Sequence, residues 1–459
     1  MLKDILLLLP EIIVLLTAVF VLICEMLRLP RTSLVIAIVG LLLATLFTIP
    51  LIGADTTVFS GTYRIDILSV WIKLILLPAT ILSLLLARSE LANSFREGTV
   101  YGLILMVTLA SLILAGVGDI MMLILGILLS GLASFALVAY PRTDAATEAA
   151  MKFFVFASVA SSVMIFGLTY WFAGTGSTLL SELSQLNNSP AIAVLGLLAV
   201  IIGLGYKSAL VPFHFWSPDA YDGAPVSIAG FLSVVPKIGA LFAFAQILKD
   251  LPVSSHWQLL IAIISVMSMT LGYLAALMQK NIVRLLAYSS IAQAGYFLLA
   301  IVAIGSSHLA IQSLIVFSAA YVAMNLGAFS IVMFVGKKLD DFSGFGRKHT
   351  YFGVAMLIFL LSLVGIPPLA GFIGKFLLFG AAMDAGFTWL VIIAILNSVL
   401  SLAVYLRIII TMYQIPVNNL DNSNHESKNN PKLILLVIAI SAFLTIYIGV
   451  FSQVILISL

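Results

Sequence analysis

Long apolar runs, separated by short polar segments, extend over almost the whole chain. Each run has the roughly 20 residues that an α-helix needs to cross the hydrocarbon core of a bilayer. Backbone groups inside a membrane must bond to one another, so these runs predict helices. The pattern predicts fourteen transmembrane helices, at residues 4–27, 32–52, 66–87, 99–117, 120–140, 150–173, 190–212, 225–248, 257–279, 285–304, 309–336, 352–383, 387–412 and 433–456.

The segments between these runs are too short to hold a soluble domain. The longest polar stretch, NNLDNSNHESKNNPK, lies at 418–432, between the last two predicted helices. The N-terminal run has no small-residue cleavage site and is long enough to span, so we interpret it as the first transmembrane helix and not as a signal peptide. The sequence therefore predicts a single all-α polytopic membrane domain over residues 1–459.

Two of the predicted helices are interrupted. The seventh contains SALVPFHFWSPDAY, with a break expected at Pro212, and the twelfth contains FLLSLVGIPPLAGFIGKFLLFG. Proline lacks the N–H that a helix needs and clashes with the preceding turn. Paired breaks in corresponding helices are typical of transporters built from inverted repeats. We therefore expect two inverted five-helix repeats, formed by helices four to eight and nine to thirteen.

Composition and charge agree with this interpretation and orient the chain. Charged residues make up 9% of the 459 residues, against about 25% in soluble proteins. Of the 22 Lys and Arg residues, 15 fall in loops on one side, three in loops on the other, and four inside predicted helices. Loops rich in Lys and Arg face the cytoplasm. We expect the basic loops on that side and both termini on the opposite side.

The lysines inside the predicted helices are the strongest candidates for chemistry. An ammonium at the bilayer centre costs about 2.5–3.5 kcal/mol, so it needs water, a partner or the loss of its proton. Lys237 lies near the middle of its helix, Lys207 precedes the first break, and Lys375 follows the second. We predict that these three take up and release protons; extension of the side chain to the membrane surface is the alternative. For Lys73, surface extension is the favoured interpretation.

Polar residues near the first break are less specific. Histidine in general titrates near neutral pH, so a relay role and a structural hydrogen bond are both open for His214. We interpret Trp216 as an aromatic anchor, and Asp219 and Asp222 as ordinary surface carboxylates, at the cytoplasmic end.

The tenth predicted helix contains three polar residues on neighbouring turns, Ser289, Ser290 and Gln293. They could hold water or hydrogen-bond to other helices, and helix packing is the commoner reason for such residues.

Motifs for nucleotide or metal chemistry are missing from the sequence: it has no Walker A motif, no dinucleotide-binding GxGxxG and no HExxH. A single cysteine, Cys24, excludes an internal disulfide, an iron–sulfur site and a thiolate zinc site, and we interpret it as a packing residue. The five histidines are scattered, which does not suggest paired haem ligands. Redox chemistry is therefore expected on other chains.

Several long motifs make the chain similar to a known family. GLGYKSALVPFHFWSPDAYDGAPVSIAGFLSVVPK, RLLAYSSIAQAGY, MNLGAF and GIPPLAGFIGKFLLF resemble the N-type antiporter-like subunit of proton-translocating NADH–quinone oxidoreductase, respiratory complex I. The plastid and cyanobacterial NDH B subunit and mitochondrial subunit 2 are counterparts. The resemblance is clearest from about Asp119 to Arg407, and AGFIGKFLLF fits the N type better than the L and M types.

The resemblance implies a proton-relay role for Lys207, Lys237 and Lys375, and a possible one for His214. It implies no cofactor on this chain, with NADH, FMN, iron–sulfur clusters and quinone on partner subunits. The implied partners are neighbouring antiporter-like and small membrane subunits and lipid, with no nucleic acid. The implied location is a bacterial inner membrane. The implied division is N-terminal helices at 1–117, a proton-conducting core at 118–410, and a loop with a C-terminal helix at 411–459.

The chain departs from this family at one position of the fifth helix. Family members resemble NDLLTLYLGLELLSL there, with a glutamate thought to pair with the seventh-helix lysine; here the stretch is GDIMMLILGILLSGL, and Leu128 replaces the glutamate. Lys207 is then expected to lose its proton more readily or to use a carboxylate on a neighbouring subunit. Val283 replaces a basic residue before Arg284. The missing glutamate makes a non-pumping structural subunit an alternative, and a cation/proton antiporter subunit is a separate alternative.

Overall fold

The computed structural model describes residues 2–92, 94–252, 257–415 and 431–451, which are almost entirely α-helical. A small antiparallel hairpin joins β1 (Thr56–Val58) to β2 (Tyr63–Ile65). The helices are α1 (Leu2–Leu7), α2 (Leu9–Met26), α3 (Pro30–Thr48), α4 (Ile67–Leu91), α5 (Glu97–Ala115), α6 (Ile120–Ala139), α7 (Asp144–Thr175), α8 (Pro190–Lys207), α9 (Trp216–Gly223), α10 (Val226–Leu248), α11 (Trp257–Leu277), α12 (Ile282–Val302), α13 (Leu309–Val335), α14 (Phe345–Lys348), α15 (Thr350–Val364), α16 (Ala370–Asp384), α17 (Thr388–Tyr413) and α18 (Pro431–Val450).

The all-α membrane fold predicted from the sequence is confirmed. Within the described ranges, thirteen helices are long and apolar enough to cross a membrane. The one remaining predicted span, the twelfth, is divided between α15 and α16. Most of the predicted polar loop at 418–432 lies outside the described residues, since the description stops at 415 and resumes at 431.

The centre of the fold is α10, in which every residue is buried. A helix that is apolar on all sides is stable only when other helices surround it. Helices α4, α5, α12 and α13 pack directly against α10. A polar group on α10 therefore has no access to lipid and must find its partners on these neighbours.

The first break begins earlier than the proline pattern predicts. Helix α8 ends at Lys207, five residues before Pro212, because a C-terminal cap closes it. The N–H of Leu210 bonds the carbonyl of Gly205 at 2.7 Å, while Ala209 adopts the left-handed conformation at φ 57°. This is the geometry of a Schellman cap. Lys207 thus occupies the last turn of a half-helix, and α9 continues beyond the break.

The second break follows the proline pattern closely. Helix α15 ends at Val364, and Gly365 follows at φ 97°, a left-handed conformation that favours glycine. Pro367 and Pro368 come next, and α16 starts at Ala370. The last carbonyls of α15 are consequently available to other donors.

Candidate functional site: the buried lysines

Lys237 is at the centre of the site and is 1% exposed. Its Nζ donates to the hydroxyl of Ser290 on α12 at 2.7 Å and to the carbonyl of the same residue at 3.0 Å. Pro236 removes an N–H from the turn of α10 that holds the lysine. The ammonium is therefore held by neutral acceptors, and this solvation is compatible with both the charged and the neutral amine.

Lys375 bonds to the backbone groups that the second break leaves free. In a continuous helix, the carbonyls of Leu363 and Val364 would accept from residues 367 and 368, and both of these are prolines without an N–H. Lys375 Nζ donates to these two carbonyls instead, at 3.0 and 2.9 Å. The negative end of the α15 dipole lies at the same place and stabilises a cation there.

Polar groups connect Lys237 to Lys375. Ser290, which accepts from Lys237, lies one turn from Gln293 on the same helix. The amide of Gln293 donates to the carbonyl of Leu363 at 3.1 Å, and that carbonyl also accepts from Lys375. Only the turn between Ser290 and Gln293 has no direct hydrogen bond among the described residues.

Aromatic hydroxyls extend this connection beside Lys375. Its Nζ lies 4.1 Å from the ring centre of Tyr296 and 3.4 Å from the hydroxyl of Ser398. The hydroxyl oxygens of Tyr296 and Ser398 are 2.8 Å apart. Gln293 also donates to Tyr273 at 3.1 Å. No sequence signal distinguishes these tyrosines, because a buried aromatic residue on a membrane helix is usually a packing residue.

Lys207 is solvated much more weakly than the other two. It is 3% exposed, and its one hydrogen bond to a described residue reaches the hydroxyl of Ser134 on α6 at 3.5 Å. The ring of Phe153 lies 5.8 Å away. Lys207 and Leu128 line the same cavity, of about 230 Å³, between α6 and α7. A carboxylate at position 128 would therefore enter the cavity that the lysine occupies.

His214 is not brought into contact with any of the three lysines by a hydrogen bond in the described part of the chain. It is half-buried, stacks on Phe215 at 4.5 Å, and has a buried Nδ1 without a hydrogen-bond partner. The hydroxyls of Ser217 and Tyr221 on α9 are also buried, and that of Tyr221 lies close to the hydroxyls of Ser217 and Ser290. Buried polar atoms of this kind usually bind internal water.

Two interpretations of single residues are wrong. Lys73 does not extend to the membrane surface: it is fully buried, and its Nζ lies 2.6 Å from the carboxylate of Glu11. An opposite charge on a neighbouring helix holds it inside. Trp216 is not an interfacial anchor, because it is 3% exposed and stacks flat on Phe153 at 4.1 Å.

Asp219 is more specifically paired than an ordinary surface carboxylate. It accepts from Arg284 at 2.7 Å and from Lys152 at 3.1 Å, and these residues line a second cavity, of about 290 Å³, together with Asp222. Burial alone would raise the pKa of Asp219, but the hydrogen bonds from Arg284 and Lys152 outweigh it and lower the pKa. Asp222 accepts from the amide of Asn281 at 2.7 Å.

Carboxylates and metal ligands are scarce around the site. Within the described ranges, no carboxylate lies within 4.0 Å of Lys207, Lys237 or Lys375. The same residues contain no group of three or more His, Cys, Asp or Glu side chains that could hold a metal ion. The arrangement can bind and pass protons, and its chemistry rests on amines, hydroxyls, amides and carbonyls.

Comparison with known proteins gives consistent results. The family model for the transmembrane part of NADH:quinone oxidoreductase and Mrp antiporters matches residues 115–401. NADH-quinone oxidoreductase subunit N 1 of Thermodesulfovibrio yellowstonii is 37% identical over 414 residues, covering 88% of this chain and 89% of the relative. F(420)H(2) dehydrogenase subunit N of Methanosarcina mazei is 33% identical and covers 90% of each chain. A chain of respiratory complex I from Thermus thermophilus superposes with a TM-score of 0.84 at 28% identity, covering 97% of this chain and 98% of the other.

Proposed function

The chain belongs to the NADH:quinone oxidoreductase/Mrp antiporter transmembrane family, and from this premise we propose that its buried lysines carry protons through the membrane. It is a membrane-arm subunit of a proton-translocating NADH–quinone oxidoreductase and lies beside other membrane subunits. NADH, FMN, iron–sulfur clusters and quinone belong to partner subunits in this proposal. One relative is named for F(420)H(2), so we assign the choice of electron donor to partner subunits as well.

The observation that carries the proposal is the polar connection between Lys237 and Lys375. Lys237 bonds Ser290, Gln293 lies one turn further, and Gln293 and Lys375 share the carbonyl of Leu363. One water molecule in the turn between Ser290 and Gln293 would make the connection continuous. Water molecules along these polar groups would then carry a proton from the Lys237 ammonium to the Lys375 amine, with Gln293 and the carbonyl of Leu363 as hydrogen-bond partners of the water and not as proton carriers.

Repulsion between the lysines would couple their protonation states. Since no carboxylate of the described residues neutralises them, a charge on one lysine disfavours a charge on the next. Protonation of Lys207 would therefore promote the release of a proton from Lys237 towards Lys375. Each proton moved across the full membrane must overcome about 2.3 kcal/mol per 100 mV. Electron transfer in the partner subunits would supply this energy.

The part of the relay from Lys207 to Lys237 depends on water more than the part from Lys237 to Lys375. Among the described residues, Lys207 has no direct hydrogen bond to Lys237, and the buried hydroxyls of Ser217 and Tyr221 lie on the helix that follows Lys207. We assign these hydroxyls to the binding of water that supplies protons to Lys237. We assign His214 to the same part of the relay through its buried Nδ1.

Substitution of Lys237 tests the proposal. Lys237→Met keeps the length and apolar bulk of the side chain but removes the proton-binding nitrogen. We expect the assembled complex to form and to pump fewer protons per electron in proteoliposomes. Lys249→Met is the matched control, because Lys249 follows the same helix but has a side chain that is 43% exposed. Full pumping by the Lys237→Met complex would contradict the proposal.

A non-pumping structural subunit is the second candidate, and Leu128 favours it. The lysine that starts the relay has no carboxylate partner among the described residues, and its one hydrogen bond is long. If the relay is inactive, Lys207→Met will leave the ratio of protons to electrons unchanged. Leu128→Glu separates the candidates further, because it restores a carboxylate to the cavity of Lys207. A changed ratio in that variant, with normal assembly, would favour a live relay.

We also propose the organisation that the sequence predicts. The fourth to eighth and the ninth to thirteenth of the fourteen predicted transmembrane helices form two inverted repeats. The breaks after Lys207 and after Val364 lie in corresponding helices of these repeats. The proton-conducting core covers residues 118–410, between N-terminal helices at 1–117 and a C-terminal segment at 411–459. The basic loops face the cytoplasm of a bacterial cell, whose inner membrane holds the protein, with both termini on the opposite side. Cysteine labelling of loop residues from each side of the membrane tests this orientation.

A further inference from the structure

Four exposed arginines have a guanidinium group without a hydrogen bond or ion pair to any described residue: Arg28, Arg31, Arg96 and Arg142. The other arginines each bond a carboxylate or a backbone carbonyl. The four lie where α2, α4 and α6 end and the next helices begin. Since one candidate span separates α2 from α4 and α4 from α6, these ends are at the same side of the membrane.

Phe95 brings two of these arginines together. Its ring is 59% exposed, and the guanidinium carbons of Arg142 and Arg96 lie 4.3 and 5.3 Å from the ring centre. The carbonyl of Phe95 accepts from the hydroxyl of Tyr140 at 2.7 Å, which holds the α4–α5 loop against the end of α6. The ring attracts each guanidinium, but the two positive charges repel each other. An anion that contacts both would therefore be stabilised.

Nearby carboxylates do not neutralise these two arginines. Glu97 is 2% exposed, pairs with Arg88 and accepts from the hydroxyl of Tyr101. Glu25 accepts from the N–H of Gly98 at 3.0 Å. Asp144, two residues after Arg142, has no ion pair with a described arginine within 4.0 Å. The counter-charge is therefore expected to come from another molecule.

The backbone at three of the arginines has a conformation that favours glycine. The angle φ is 58° at Arg28, 52° at Arg96 and 57° at Arg142. Glycine adopts this conformation easily, whereas a residue with a Cβ atom is strained. Replacement by glycine therefore removes the guanidinium group without straining the loop.

Exposed apolar side chains beside the arginines favour a lipid over a soluble anion. Met26 and Leu27, which precede Arg28, are 83% and 65% exposed, and Phe95 lies between two candidate spans. A phospholipid offers a phosphate group for guanidinium and acyl chains for apolar side chains. Arginine is well suited to phosphate because it can donate two parallel hydrogen bonds. Basic segments at the ends of membrane helices attract anionic lipids.

We propose that Phe95, Arg96 and Arg142 form a binding site for the headgroup of an anionic phospholipid. The phosphate contacts the two guanidinium groups, and the exposed ring of Phe95 packs against the apolar part of the lipid. Arg28 and Arg31 add to the positive charge at this side of the membrane. The site is separate from the buried lysines and does not depend on whether they carry protons.

Photo-cross-linking of the assembled complex tests the site, in nanodiscs with equal amounts of phosphatidylglycerol and phosphatidylcholine. Phe95→p-benzoylphenylalanine places the probe in the site, and Phe20→p-benzoylphenylalanine on α2 is the matched control, because Phe20 is 54% exposed. One basic residue near an anionic membrane strengthens binding about fivefold. We expect an excess of phosphatidylglycerol adducts of about fivefold or more at position 95 and none at position 20. Equal adducts at position 95, the same excess at both positions, or an adduct with another subunit would overturn the inference.

A glycine variant separates the role of the side chain from folding. Arg142→Gly should lower the phosphatidylglycerol excess at position 95 about fivefold without lowering the melting temperature of the complex. Arg142→Lys keeps the charge and should retain most of the excess. An unchanged excess in Arg142→Gly would overturn the site.

Inorganic phosphate distinguishes a lipid headgroup from a soluble anion. Compared with sodium chloride at equal ionic strength, added inorganic phosphate should leave the excess of phosphatidylglycerol adducts at position 95 unchanged. Loss of the excess in phosphate alone would show a site for soluble phosphate, and the assignment to a lipid would be wrong.

Discussion

Replacing Gln293 by leucine should cut the relay at its narrowest point while keeping the fold. Gln293 is fully buried and donates to the carbonyl of Leu363 and the hydroxyl of Tyr273, each at 3.1 Å. Leucine has a similar size, so the substitution leaves little empty space in the core. Two lost hydrogen bonds of about 1 kcal/mol each predict a stability cost of about 2 kcal/mol. The carbonyl of Leu363 keeps its bond to Lys375 and is not left unpaired.

The expected functional effect comes from the barrier to proton transfer and is of similar size to the loss of stability. A hydrogen bond to a charged group is worth about 1.5–3 kcal/mol, and a proton that passes this turn needs such a bond. Its loss in the transition state slows the transfer by about 10- to 150-fold. We therefore expect Gln293→Leu complexes to reduce quinone with a strongly reduced number of protons pumped per electron. Proton uptake and quinone reduction can be measured together in proteoliposomes.

Thr108→Val provides a matched control for this variant. Thr108 is also buried, and its hydroxyl lies 2.9 Å from that of Thr80 between α4 and α5, with no hydrogen bond to Lys207, Lys237 or Lys375 among the described residues. Its loss should cost about 1 kcal/mol and leave pumping intact. If Gln293→Leu pumps as well as Thr108→Val, then protons do not cross at Gln293, and the connection between Lys237 and Lys375 is only structural.

Three further predictions concern stability and can be measured by unfolding in detergent. Lys73→Met should lower the free energy of unfolding by about 3–5 kcal/mol, because it leaves the Glu11 carboxylate buried without this lysine. The double variant with Glu11→Gln should recover most of this loss. Equal stability of the two variants would contradict the buried ion pair. Both Gly365 and Ala209 have left-handed backbone, which glycine adopts more easily than alanine. Gly365→Ala should therefore lower the melting temperature, and Ala209→Gly should not. The reverse order would contradict the two caps. The pKa of Asp219 is lowered in the folded state, so this residue stabilises the protein above the ordinary carboxyl pKa of about 4, and the contribution is lost as the pH falls below it. Asp219→Asn should therefore flatten the pH dependence of stability in this acid range. An unchanged dependence would refute the pairing of Asp219.

Apolar run lengths were enough to predict the fold, because a membrane restricts a chain of this composition to helices. The position of the first break was not predictable, since it depends on a cap at Ala209 and not on Pro212. The second break was predictable because two adjacent prolines cannot continue a helix. Their consequence for Lys375 emerges only when α16 packs beside the end of α15.

Residues of the site were predicted in part, because their identity is visible in the sequence and their partners are not. A lysine inside an apolar run is conspicuous in a sequence, so all three members of the proposed relay could be named. Whether such a lysine is paired depends on helices that are distant in sequence, and the partner of Lys73 is 62 positions away, at Glu11. Gln293 and Ser290 were recognised as polar, but their position between Lys237 and Lys375 depends on the packing of α10, α12 and α15.

The protonation state of Lys237 during turnover tests the central claim most directly. Nitrogen-15 NMR of lysine-labelled complex distinguishes a charged ammonium from a neutral amine, and Lys237→Met identifies the signal by its disappearance. We predict that the Lys237 signal changes between the two forms when quinone reduction is started. A signal that keeps one form in the resting, reducing and fully reduced states would contradict a relay through this residue.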